Sequence, residues 1–142
     1  LQTFLTSTHR RLLEIGSAYG FFLDIVRDRS DEFDIVQGID ISEDGVQYSR
    51  EQLNLNVIHD DFLKHDFGEQ KFDLVCMWDT IEHIRSPHLY LDKIGSHMES
   101  GSLLAITTGD IGSLNALFKK ITEKLIDFLG FRDEQNWPDK LF

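Results

Sequence analysis

Leu12-Leu13-Glu14-Ile15-Gly16-Ser17-Ala18-Tyr19-Gly20-Phe21-Phe22 is the stretch that decides the fold. Its apolar residues up to Ile15 predict a buried strand, Gly16 to Gly20 a tight turn, and Phe21 onward the start of a helix. Small residues at 16, 18 and 20 let a ligand approach the backbone at the carboxyl end of that strand. Outward from it, short apolar runs alternate with helical stretches. Strands are expected at 11–15, 33–39, 55–58, 72–77 and 102–107, and helices at 20–28, 44–53, 87–97 and 114–129. Runs such as Leu74-Val75-Cys76-Met77 and Leu103-Leu104-Ala105-Ile106 are apolar without alternation, as in strands covered on both faces. The fold class that follows is α/β, a Rossmann-like, doubly wound, mainly parallel sheet with helices on both faces. Ser86 before Pro87 marks one helix start, and Ser113 and Gly130 bracket the last helix.

The 142 residues fit one domain over 1–142. A fifth strand ending an apolar sheet would leave an edge open to pairing, so either further strands follow Phe142 or a partner, such as a second copy in a homodimer, covers it. Fourteen Lys and Arg against 25 Asp and Glu give a net charge of −11, which argues against nucleic acid and anionic membrane surfaces as partners. No apolar run approaches the roughly 20 residues of a membrane helix. The single Cys, Cys76, fits a reducing, cytoplasmic setting and supports neither an internal disulfide nor a thiolate metal site.

The turn itself discriminates among ligands. A dinucleotide fingerprint wants glycines at 16, 18 and 21, whereas here position 18 is Ala, position 21 is Phe, and the glycines fall at 16 and 20. Glu14 beside the turn repels a pyrophosphate and suits an ammonium group. Asp40, twenty residues after Gly20, ends the second strand, where a carboxylate faces the hydroxyls of a nucleoside ribose. Asp60-Asp61-Phe62 ends the third strand, where a carboxylate and a ring suit an adenine amino group and its face. The three strand ends lie on one sheet edge.

Glu14 to Gly20, Asp40, Asp60-Asp61-Phe62, Phe72-Asp73-Leu74-Val75 and Trp78-Asp79-Thr80-Ile81-Glu82-His83-Ile84 together resemble the class I S-adenosylmethionine-dependent methyltransferases, in particular small-molecule O-methyltransferase-like members. Glu99-Ser100-Gly101-Ser102 is similar to the family's turn before its fifth strand. The resemblance departs from the family pattern at Ala18, and the module's last strands are absent from this sequence. It implies S-adenosylmethionine as cofactor, held by Glu14 at the methionine ammonium, by Gly16, Ser17, Ala18, Tyr19 and Gly20 under the methionine part, by Asp40 and Ile41 at the ribose, and by Asp61 and Phe62 at the adenine. Trp78 and Asp79 fall where cofactor meets substrate. The implied acceptor is a small molecule, with a hydroxyl as the methylated group. His83, whose ordinary pKa near 6.5 suits proton removal, is the candidate base, with Asp79 and His88 behind it. No metal is implied. The alternatives are a non-catalytic nucleoside-binding module of the same fold and, against the glycine spacing, an NAD-dependent oxidoreductase.

Overall fold

A computed structural model describes residues 10–28 and 33–109, which except for Gly109 fall within one compact unit, Leu1–Thr108. The helix expected at 114–129, with Ser113 and Gly130, lies outside the described residues. Five parallel strands form the sheet: β1 (Arg11–Ile15), β2 (Ile35–Asp40), β3 (Val57–His59), β4 (Phe72–Trp78) and β5 (Met98–Thr107), in the order β3-β2-β1-β4-β5. The chain moves outward from β1 to β3, then returns past β1 to lay down β4. The reversal opens a crevice beyond the carboxyl ends of β1 and β4, where open α/β sheets bind ligands.

Alternation along β1 and β4 divides the core between the two sheet faces. Leu12, Leu74 and Cys76 face α1 (Phe21–Arg27) and α2 (Glu43–Glu51), packing with Leu23, Val26 and Val46. Leu13, Ile15, Val75 and Met77 pack on the opposite face with Ile94 of α3 (Pro87–Ser96). At the amino ends of β1 and β4, Asp73 Oδ2 accepts the backbone N–H groups of Arg10 and Arg11, and both its oxygens take the Arg11 guanidinium.

Several boundaries differ from the expected ones. β2 begins at Ile35 and runs on to Asp40, and Leu55 precedes β3 in a loop, its N–H donating to the Ser49 carbonyl. β5 begins at Met98, because the segment expected as a turn forms an irregularity in the β4–β5 pairing between Phe72↔Met98 and Leu74↔Leu103. As expected, β5 is an edge of the sheet among the described residues, with Leu104 39% exposed. Ser42 caps α2, its Oγ accepting the Gly45 N–H. Ser86 makes no such bond, so α3 starts on Pro87 at its first turn without a hydroxyl cap. Ile81–His83, between β4 and α3, forms a short 3-10 turn.

Candidate functional site

The β1–α1 turn is shaped by its backbone. Gly16 (φ +77) and Gly20 (φ +76) occupy the left-handed region, and Ala18 joins them at φ +45. The Gly16 and Ser17 N–H groups donate to the Ile39 carbonyl, and the Gly20 N–H to that of Ser17. Neighbouring elements brace the turn at close quarters. A Cβ on Gly16 would lie 2.5 Å from Thr80 Oγ1, and one on Gly38 2.7 Å from Ser17 Oγ. A Cβ on Gly45 would lie 2.8 Å from the Ala18 carbonyl oxygen, and the Ser49 hydroxyl, 2.8 Å from the Gly45 carbonyl oxygen, lies 3.2 Å from that same Ala18 oxygen. Gly38, Gly45, Ser49 and Thr80 therefore belong to the site's framework, though sequence reasoning gave none of them a role and carried Thr80 only within the stretch 78–84. A glycine inside a strand pattern or a helical pattern was the available signal for the first two.

Asp40 ties the turn to β2: its Oδ2 accepts the Ala18 N–H at 2.7 Å and its Oδ1 the Ser42 N–H at 2.7 Å. Each oxygen keeps lone-pair capacity for a second donor. Glu14, on β1, is only 3% exposed, and its Oε2 has no hydrogen-bond partner. Burial, reinforced by the Asp40 charge, pushes its carboxyl up to about 8. Ser17 Oγ and Trp78 Nε1 are likewise buried without partners. Buried polar atoms left unsatisfied are costly, and two of these three belong to Glu14 and Ser17, beside and within one turn. Cys76, paired with Glu14 across the sheet, is a buried thiol pushed up to about 12 by burial first and by Glu14 second.

A hollow of about 410 Å³ opens at this edge, lined by Gly16, Asp40, Ile41, Asp61, Phe62 and His83 among others. Ile41 is exposed at its rim, while the Phe62 ring is buried between Phe67 and Tyr90. Asp61 Oδ1 accepts the Leu63 N–H and Oδ2 lies 3.3 Å from Lys64 Nζ. Glu14, Ser17, Ala18, Gly20 and Trp78 are not in that lining. Glu14, Ser17 and Gly20 are buried, Ala18 is exposed on the turn, and the Trp78 ring packs on Phe22 at 5.0 Å. Tyr19 sits in an exposed aromatic group with Phe21 and Tyr48. Asp79, also outside the lining, has φ +47; its N–H and its Oδ1 both meet Thr107 at the end of β5. His88 is exposed near the start of α3. Among the described residues no group of three or more His, Cys, Asp or Glu is placed to hold a metal ion, and no helix is long and apolar enough to cross a membrane.

Solved structures share this fold. The plantazolicin methyltransferase BpumL in complex with SAH matches 75% of this chain and 42% of its own, with a TM-score of 0.69 and 20% identity. A SAM-bound amino pentose methyltransferase from Micromonospora echinaspora matches 72% of this chain and 44% of its own, with a TM-score of 0.64 and 19% identity. In sequence, a ubiquinone biosynthesis O-methyltransferase of Glaesserella parasuis serovar 5 (strain SH0165) is 26% identical over 109 residues, 70% of this chain and 45% of that protein. The chain thus spans less than half the length of each of these relatives. The family described as a methyltransferase domain matches residues 1–137. With so nearly all of its length inside that match, the chain belongs to the methyltransferase domain family.

Proposed function

We propose that the chain is the donor-binding part of an S-adenosylmethionine-dependent methyltransferase that acts on a hydroxyl of a small molecule in the cytoplasm. The observation that carries this reading is Glu14. A carboxyl buried beside a tight turn, with one oxygen unpartnered and Asp40 as its charged neighbour, suits a ligand that brings its own positive charge. The glycines at 16, 38 and 45, where a Cβ would collide, keep room and shape at that turn. These residues fit an α-amino-acid end at Glu14 and Ser17, a ribose on the free lone pairs of Asp40, and an adenine between Ile41 and the Asp61–Phe62 backbone.

When bound, the donor supplies a methyl group already activated on a sulfonium. The chain's task is then to align an acceptor oxygen with that methyl carbon and to take its proton. His83 is the best-placed base, since it lines the same hollow as Gly16, Asp40 and Asp61. As the carbon–oxygen bond forms and the carbon–sulfur bond breaks, the hydroxyl proton passes to the imidazole. Asp79, tethered to Thr107, is better suited to holding the β4 and β5 ends together beside the acceptor than to taking the proton.

Calorimetry on the intact protein tests binding, with S-adenosylmethionine and S-adenosylhomocysteine expected to bind and NAD not. Transfer of a labelled methyl group across a panel of hydroxylated small molecules tests the chemistry. His83→Ala is expected to leave donor affinity in place and to lower kcat by about 10²–10⁴. Donor binding with no transfer to any acceptor class would favour a non-catalytic nucleoside-binding module.

A further inference from the structure

The turn after β3 carries a device outside the site residues so far described. His65 Nδ1 lies 2.9 Å from Asp60 Oδ2, and the other oxygen of Asp60 accepts the Asp61 backbone N–H at 2.8 Å. The imidazole, the carboxylate and the peptide N–H form a relay that ends at Asp61, and both Asp60 and Asp61 line the hollow. The Asp61 carbonyl in return accepts the Lys64 and His65 N–H groups, closing the turn on itself. Lys93 of α3 anchors it from behind, donating to the carbonyls of Leu63 and His65 with its ammonium about 5.3 Å from the centre of the Phe62 ring. The His65 ring packs edge-on against Phe67 at 4.6 Å. Both carboxylates of this turn line the hollow, and Asp60 is held by the imidazole and a peptide N–H together.

We propose that His65 is a positioning residue for nucleoside recognition, acting through Asp60 to fix the Asp61 peptide at the adenine end of the site. It touches no ligand itself. The inference rests on the donor-binding reading above, but it concerns only one end of the donor. Two variants separate positioning from packing. His65→Phe keeps a ring against Phe67 and removes the donor to Asp60. His65→Asn gives up the ring but can offer a side-chain N–H near the place of Nδ1.

The experiment is calorimetry on the intact protein with S-adenosylhomocysteine and with 5′-methylthioadenosine, which lacks the amino-acid end, alongside thermal melts. His65→Phe is expected to weaken both ligands by a similar factor, about tenfold, with little change in Tm. His65→Asn is expected to recover most of that affinity despite a lower Tm. If His65→Phe binds both ligands as the wild type does, or if affinity follows Tm across the two variants, the positioning role is overturned. Failure of the wild-type protein to bind either ligand would instead overturn the donor-binding reading, and with it the basis of this one.

Discussion

At the scale of single residues, the site depends on places where a side chain has no room or no partner. Gly16 combines a left-handed φ with a Cβ position 2.5 Å from Thr80 Oγ1. Gly16→Val is therefore expected to abolish donor binding and also to destabilise the fold, by about 2 kcal/mol or more, because backbone strain adds to the clash. A binding isotherm and a urea melt on the same preparation check both parts; normal binding would rule out close approach at this turn. Beyond the proposed ribose contact, both Asp40 oxygens already hold backbone N–H groups. Asp40→Ala should weaken donor binding by about 1–3 kcal/mol and lower thermal stability as well, because two amides lose their partners. Unchanged affinity for S-adenosylhomocysteine would remove Asp40 from the site.

Elements place these residues, and here the sequence was legible in some respects and silent in others. The order of strands and helices followed from apolar runs and turn residues, and the three acidic strand ends at Glu14, Asp40 and Asp61 do gather at one sheet edge. Glu14 proved to lie inside the core rather than on the cavity wall, because it shares the α1-facing side of β1 with Leu12. Periodicity marks which face a side chain takes, but not how deep a following turn leaves it. Nor could spacing reveal that α2 packs its first turn on the Ala18 carbonyl, since that contact joins residues 27 positions apart and leaves only an unremarkable helical glycine behind. It makes Gly45 testable against intuition. Glycine inside a helix normally costs about 1 kcal/mol relative to alanine, so Gly45→Ala would ordinarily stabilise. With the Ala18 carbonyl oxygen 2.8 Å from the new Cβ, it is expected instead to destabilise and to weaken donor binding. A higher Tm in Gly45→Ala would show that the turn can shift away at no cost. Ala18→Gly points the other way: relief of a left-handed alanine should stabilise by about 1 kcal/mol, measured by urea denaturation.

Over the whole molecule, the two ends of the sheet answer to pH in opposite senses. At the amino ends, the Arg11 guanidinium and two backbone N–H groups hold the Asp73 carboxyl below its ordinary value. A depressed folded-state value means stability that is present above the unfolded value, near 4, and lost as pH falls through the folded one. At the carboxyl ends, burial holds Glu14 protonated up to about 8 against an ordinary 4.5. Between those values the unfolded chain has released a proton that the folded chain keeps, so stability declines as pH rises, by up to about 1.4 kcal/mol per pH unit. The empty protein should therefore be more stable to urea at pH 5 than at pH 8, and Glu14→Gln, which cannot titrate, should flatten that slope while leaving the acid limb set by Asp73 in place. A cationic donor reverses the balance at Glu14, because an ammonium beside the carboxyl favours its charged form. Binding of S-adenosylmethionine near pH 7 should accordingly release up to one proton, read from calorimetric heats in buffers of different ionisation enthalpy. Glu14→Gln should bind more weakly and release none. Equal proton release in both proteins would mean that the buried carboxyl does not meet the donor's ammonium, and the charge logic of the site would have to be sought elsewhere along the rim.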